Sequence, residues 1–256
     1  MQPYSNECST KERRLAQYRA SAITPATGEN CYRGLRIHAL PGLHEYVAKQ
    51  LESNLPKGAS VIELGAGSGA LSLRMADKGY EVTSIDAVPE NFGALEGATF
   101  LEMDLDKDFG LEIGRKFDAV VAVEIIEHLE NPAHVFRQAA QLLKPGGIFL
   151  VTTPNINNPV SCAMFCRFGH HLWFNDRDRE FHGHISPLSQ AALSFNALES
   201  GFSIREMLSF GDPYSHVANW PKLKILAKFI AFLSALPQSL RGEILVAVMR
   251  KMSRPE

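Results

Sequence analysis

Residues 61–69 read VIELGAGSG, a short apolar run that ends in a glutamate and opens straight into three alternating glycines. A strand is expected at 60–64 and a helix at 71–76, so the glycines form a strand-to-helix turn. No other stretch limits the fold as strongly. Glycines lack a Cβ and let backbone N–H groups approach a ligand. The N-terminus of the following helix favours anions and polar atoms. Gly65, Gly67 and Gly69 give GxGxG, with Ala66 and Ser68 between them. This is not the GxGxxG pyrophosphate loop, because the third glycine comes one residue early, and no GK[ST] follows to make a P-loop. Taken alone, the loop is also readable as a tight turn and nothing more. Asp86, at the end of EVTSID, changes the balance. A carboxylate at the end of the second strand can accept both ribose hydroxyls of a nucleoside, whereas its plain role would be to cap the next loop.

Strand and helix alternate along the rest of the chain. Further strands are expected at 81–86, 98–101, 117–123, 148–153, 202–210 and 243–249. Helical spacing covers 35–55, 133–143 and 189–199. The run FDAVVAV at 117–123 is almost continuously apolar, as a parallel strand buried on both faces should be. Lys144-Pro145-Gly146-Gly147 is expected to end the preceding helix. This rhythm indicates a doubly wound α/β sheet. Residues 1–34 are assigned to an N-terminal arm or lid and 35–256 to the main domain. Two stretches, 155–186 and 212–240, are longer than ordinary α/β connections. The first leaves the C-terminal end of a strand, where open α/β sheets bind ligands, and is assigned to the acceptor pocket.

Composition excludes little but directs attention. A formal net charge of −2 gives no whole-chain case for nucleic-acid binding. Arg167, Arg177 and Arg179 are interleaved with Asp176, Asp178 and Glu180 rather than forming a basic tract. Cys8, Cys31, Cys162 and Cys166 make no CxxC pair and are expected as free thiols in a reducing compartment. The N-terminus is polar, unlike a secretory signal. No apolar run reaches the length of a membrane span.

Taken in order, VIELGAGSG, Asp86, Met103-Asp104-Leu105, VVAVEIIEHLENP and LLKPGG resemble the class I S-adenosylmethionine-dependent methyltransferases. Within that group the chain is most similar to ubiquinone-pathway O-methyltransferases and to methyltransferases of sugars and natural products. The resemblance implies a Rossmann-like seven-stranded sheet with helices on both faces and an antiparallel last strand. It implies S-adenosyl-L-methionine as cofactor. It places Glu63 and the loop Gly65, Ala66 and Gly67 at the methionine part and Asp86 at the ribose. Ala87 would lie beside the adenine, Asp104 would accept its amino group, Leu105 would pack near the ring, and Glu124 would line the cofactor side of the cleft. A reversed last strand would also return 212–240 to the acceptor opening.

Histidines supply the candidate chemistry. His128 in EIIEHLENP is a candidate general base, and His182 and His184 in FHGHISPLS are candidate catalytic or pocket residues. Glu124, Glu127, His128 and one of His182 or His184 could instead hold a divalent metal. That set resembles the small-RNA 2'-O-methyltransferases, which use two glutamates and two histidines. The phrase EIIEHL equally resembles metal-free ubiquinone-pathway enzymes, and no bound metal is expected. The aromatic stretch Met164, Phe165, Phe168, Leu172, Trp173 and Phe174 suits a pocket wall for a phenol, sugar or lipid-linked group. Residues 220–240, WPKLKILAKFIAFLSALPQSL, are expected as a cap or homodimer contact first and a peripheral membrane contact second. Together these features suggest a cytoplasmic enzyme that methylates an oxygen of a small-molecule or lipid-linked acceptor. The alternatives are N-, C- or RNA 2'-O-methylation, or a non-catalytic binding subunit.

Overall fold

The chain's computed structural model describes residues 30–253. The expected arm therefore lies almost wholly outside the described residues. A two-strand hairpin, β1 (Cys31–Tyr32) and β2 (Leu35–Arg36), leads into helix α1 (Leu43–Asn54). Then follow β3 (Ser60–Leu64), α2 (Ala70–Asp77), β4 (Glu81–Asp86), β5 (Ala98–Glu102), β6 (Phe117–Val123), α3 (Pro132–Leu142) and β7 (Leu143–Pro154). The second half adds α4 (Pro159–Phe168), α5 (Asp176–Phe181), α6 (Gln190–Glu199), β8 (Phe202–Phe210), α7 (Pro221–Leu233) and β9 (Ile244–Lys251).

Seven strands form one sheet in the order β5-β4-β3-β6-β7-β9-β8. β3 pairs in parallel with β4 and β6, β4 with β5, and β6 with β7. β9 is antiparallel to both β7 and β8. The expected seven-stranded sheet with a reversed last strand is the one found. The near-continuous apolar runs follow from burial on both faces. In β6, Val120 and Ala122 join one core layer and Ala119 and Val121 the other. The same alternation separates Phe149 and Val151 from Ile148 and Leu150 on β7. Helices α3 and α6 cover the first face, through Phe136, Ala139, Leu193 and Ala197, and α1 and α2 the second, through Val47, Leu51, Leu71 and Met75. Phe149 meets Phe136 at 5.3 Å and Phe202 at 5.5 Å between ring centroids. Truncating such a residue to alanine costs about 3–5 kcal/mol.

Two local expectations change. Residues 35–55 are not one helix: Leu35 pairs in the hairpin, and Gly42, at φ +84°, sets the turn into α1. Helix α3 also passes into β7 without a separating loop, because Leu143 is both the C-cap and the first strand residue. Lys144-Pro145-Gly146-Gly147 therefore lies within the strand span, where the pairing of Phe117 with Leu143 jumps to Ala119 with Ile148.

Strand order reverses between β3 and β6, so their carboxyl ends open the crevice expected in doubly wound sheets. Because β9 runs backwards, the connection from β8 to β9 lies at that same end. It contains α7, which packs against α4, and it is tied down by the Asn155 side-chain amide, which donates to the carbonyls of Leu240 and Gly242, each at 2.9 Å.

Candidate active site

The glycine loop is built by backbone geometry. Gly65, Gly67 and Gly69 adopt φ of +73°, +53° and +81°, which side chains disfavour. The N–H groups of Gly65 and Ala66 both donate to the Ile85 carbonyl, at 2.8 and 3.1 Å, joining the loop to β4. A Cβ on Gly65 would lie 2.4 Å from Ile125 Cγ1, and one on Gly69 2.7 Å from the Ala94 Cβ. A Cβ on Gly67 would meet nothing closer than His38, at 3.9 Å. Gly65 and Gly69 therefore permit close packing, while Gly67 faces open space.

Acids stand at successive strand ends around this loop. Asp86 Oδ2 accepts from Gly67 N–H at 2.8 Å and Oδ1 from Val88 N–H at 2.9 Å. Burial raises the Asp86 pKa and these backbone bonds oppose the rise. Asp104 Oδ1 accepts from Asp106 N–H at 3.1 Å. Glu63 is buried, accepts from the Ser72 hydroxyl, and is pushed up to about 8, chiefly by burial. A cation brought beside this carboxyl would favour its charged form and lower its pKa again. Glu124, directly after β6, holds φ at +51° and accepts from the Thr152 hydroxyl at 2.8 Å. Its pKa is raised, again first by burial. A non-glycine residue in this backbone region stores strain of the kind found at functional sites.

One cavity of about 600 Å³ brings these groups together. Glu63, Gly65, Ala66, Gly67, Asp86, Ala87, Asp104, Leu105 and Glu124 all line it, and so do His128, His182 and His184. Every residue expected to bind cofactor or act in catalysis thus borders the same space. Residues 212–240 contribute no lining residue, so they do not cap the cavity among the described residues. They buttress its wall instead. His216 meets Glu243 at 2.7 Å, and the Trp173 indole N–H donates to the same carboxylate oxygen at 3.0 Å. Trp173 lines the cavity at φ +69°.

The histidines form a connected group. His128 and His184 lie edge to face with ring centroids 4.8 Å apart, and His182 is 5.7 Å from His184. His184 Nδ1 lies 2.8 Å from the Trp173 carbonyl, which can only accept. That bond assigns the proton to Nδ1 and leaves Nε2 with a lone pair. Burial lowers the pKa of both His128 and His184, and His128 falls to about 3. Glu127 beside them is fully buried, and its pKa lies well above the usual carboxylate value, through burial first and the Glu124 charge second. Thr153 donates to its Oε2 at 3.1 Å, whereas Oε1 has no hydrogen-bond partner among the described residues. Glu127, His128 and His184 each offer a ligand atom, all within 4.8 Å of one another. Neither Glu124 nor His182 belongs to that group. His170 and His171 serve packing: they stack on Phe168 and Phe165, and His171 meets the Ser161 hydroxyl at 3.2 Å.

Sequence reasoning missed three contributors. His38, in the segment joining the hairpin to α1, and His44, in the first turn of α1, line the cavity, and burial lowers both pKa values, His44 to about 4. Glu243 is the buried anchor of Trp173 and His216. The GLHEY turn into α1 marks His44 as a helix-start residue, but no local signal aims it at the site.

A sequence profile described as a methyltransferase domain matches residues 34–207. A ubiquinone biosynthesis O-methyltransferase of Xanthomonas axonopodis pv. citri is 39% identical over 136 residues, covering 50% of this chain and 55% of the relative. The chain thus spans about half the length of the curated relatives it matches. Among solved structures, an S-adenosylmethionine-dependent methyltransferase from Mesorhizobium loti superposes with a TM-score of 0.51 at 19% identity, covering 81% of this chain and 100% of that one. Magnesium protoporphyrin IX methyltransferase from Synechocystis, solved with bound SAH, gives 0.53 at 15% identity, covering 82% of each. At those identities the structures show the shared fold alone. With the profile match over most of the chain and this sheet order, the chain belongs to the methyltransferase domain family, as a class I S-adenosylmethionine-dependent member.

Proposed function

We propose that the protein transfers a methyl group from S-adenosylmethionine to an oxygen of a small or lipid-linked metabolite of phenol or sugar type. The supporting observation is that Glu63, the glycine loop, Asp86 and Asp104 share one cavity with His128, His184 and Trp173. When bound, the cofactor supplies an electrophilic methyl group for in-line attack by a nucleophile. Glu63 would hold the amino-acid end of the cofactor, Asp86 the ribose, and Asp104 and Leu105 the adenine. The chain's main contribution is to position the two reactants.

An acceptor hydroxyl also needs a proton acceptor. His184 fits that task best, since its Nδ1–H is engaged by the Trp173 carbonyl and its Nε2 lone pair is left for the substrate. His128, with a pKa near 3, is the weaker base and packs against His184. Trp173, Phe181 and Leu129 offer apolar surface for an acceptor ring. The Xanthomonas relative's name, with its O-methyl chemistry, agrees with oxygen as acceptor atom.

A second reading places a divalent ion on Glu127, His128 and His184. It is favoured by the buried Oε1 of Glu127, which has no hydrogen-bond partner among the described residues and lies 3.9 Å from His128 Nε2. Here the ion, rather than a histidine, would activate the hydroxyl. One experiment separates the two: purified protein is supplied with labelled S-adenosylmethionine and a panel of phenols, sugars and lipid extracts, with and without chelator. The leading reading expects methylated oxygen and no effect of chelation. Loss of turnover on chelation, restored by one ion, would establish the second. No labelled product from any acceptor would count against both.

A further inference from the structure

We propose that helix α7, together with the end of α4, is a docking surface for an anionic lipid bilayer. The inference does not depend on the methyl-transfer reading.

The surface is apolar where a solvated helix should be polar. Leu223 and Ala227 of α7 are buried with Val160 and Ala163 of α4. On the opposite side Ile225, Phe229 and Phe232 are 68%, 56% and 84% exposed. Their spacing of four and three residues puts them on one stripe. Leu233 extends the stripe at one end. At the other, Trp220 packs edge-on against Phe168 of α4 at 5.6 Å, and both rings remain exposed. Phe165 adds a further exposed ring on α4. Exposed aromatics in this number are costly in water unless something covers them.

The charge pattern selects the partner. No Asp or Glu occurs from Pro213 to Gly242, nor from residue 155 to 175, although the chain carries 28 acids in 256 residues. The same stretches hold Arg167, Lys222, Lys224, Lys228 and Arg241. At about 100° per residue, Lys222 and Lys228 stand roughly 60° to either side of the apolar stripe. Lysines so placed can snorkel to phosphate while the stripe enters the acyl boundary. A second copy of the chain would bring five like charges against five. An anionic leaflet brings the opposite sign. No helix among the described residues is long and apolar enough to cross a membrane, so the contact is with the surface. α7 lies between β8 and β9, at the sheet end where the cavity opens, and Glu243 links it to the cavity wall through His216 and Trp173.

The test is co-sedimentation of the full chain with vesicles of phosphatidylcholine mixed with phosphatidylglycerol, against phosphatidylcholine alone. Binding is expected to the anionic vesicles and to fall as salt is raised. Replacing Lys222, Lys224 and Lys228 with Gln should weaken partitioning about fivefold per lysine, on the order of 100-fold together. Phe229→Ser with Phe232→Ser should abolish binding. Phe195→Ser, an exposed ring on α6 outside the surface, should not change it. Circular dichroism and sedimentation velocity of each variant exclude unfolding and report oligomeric state. A folded wild-type chain that ignores anionic vesicles would overturn the proposal. So would a wild-type dimer that the Phe229 and Phe232 substitutions dissociate while vesicle binding is absent, since the surface would then be a contact between copies.

Discussion

Asp86→Ala tests the proposed cofactor wall at a residue whose carboxylate holds two backbone N–H groups. The carboxylate does two things in this structure. It accepts the N–H groups of Gly67 and Val88, at 2.8 and 2.9 Å, and it lines the cavity. Hydrogen bonds to a charged group contribute about 1.5–3 kcal/mol each. Losing two of them at a half-buried position should destabilise the free domain by about 3 kcal/mol. Against a typical stability of about 5–15 kcal/mol the domain stays folded. Binding should weaken by a similar amount, because the variant would lack the proposed ribose contacts and must also order a loosened loop. The expected loss of S-adenosylmethionine affinity is about 2–4 kcal/mol, or roughly 30- to 1000-fold. Urea denaturation of the free protein gives the first quantity and isothermal titration the second. Asp86→Asn keeps one acceptor for a backbone N–H and should fall between wild type and Asp86→Ala in both. A folded Asp86→Ala protein with wild-type affinity would refute the assignment of this carboxylate to the cofactor.

Replacing His184 with Asn should lower turnover by about 10²–10⁴-fold with cofactor affinity unchanged. Because burial lowers the His184 pKa, the wild-type rate should rise with pH through a value below the usual 6.5, and the variant should lack that limb; a retained limb would remove His184 as base. Glu63, raised to about 8, contributes stability that is full below about pH 4.5 and lost as pH rises through 8, so Glu63→Gln should flatten the fall in stability of the free protein between pH 5 and 8. Equal slopes in urea melts of the two proteins would contradict this. Gly65→Ala should cost about 2–4 kcal/mol, from a positive φ and a Cβ driven into Ile125, and an unchanged melting curve would show that the loop has slack the structure lacks.

The parts of the fold legible in the sequence were those with local signals. The central strands could be read because both sheet faces are buried there, so runs such as FDAVVAV stay apolar throughout, while the edge strands β5 and β8 are partly exposed and were read from the alternation of strand and helix. The cavity wall proposed for the cofactor was legible because class I motifs place Glu63, Asp86, Asp104 and Glu124 at or near strand ends, and all four line the cavity. The start of β7 was hidden because Leu143 closes a helix and opens a strand at once, leaving Lys144-Pro145-Gly146-Gly147 to look like a plain breaker. His38 and His44 were hidden for a different reason. His38 follows the β1–β2 hairpin, which packs on α2, where Tyr32 donates to Asp77 at 2.6 Å and the Arg74 guanidinium lies 4.0 Å above the Tyr32 ring, and His44 reaches the cavity from the first turn of α1. Glu243 looked like an ordinary strand residue. Its role depends on Trp173, seventy positions away, and His216, twenty-seven away, meeting it in space. The choice of His184 over His182 likewise rests on the Trp173 carbonyl, which no spacing rule locates.

The central claim is that the crevice between β3 and β6 is an S-adenosylmethionine site. Isothermal titration of the folded, ligand-free chain with S-adenosylmethionine tests it most directly. The account predicts saturable binding of one equivalent, weakened by Asp86→Ala and competed by S-adenosylhomocysteine. Folded protein that shows no saturable binding of either compound would contradict it.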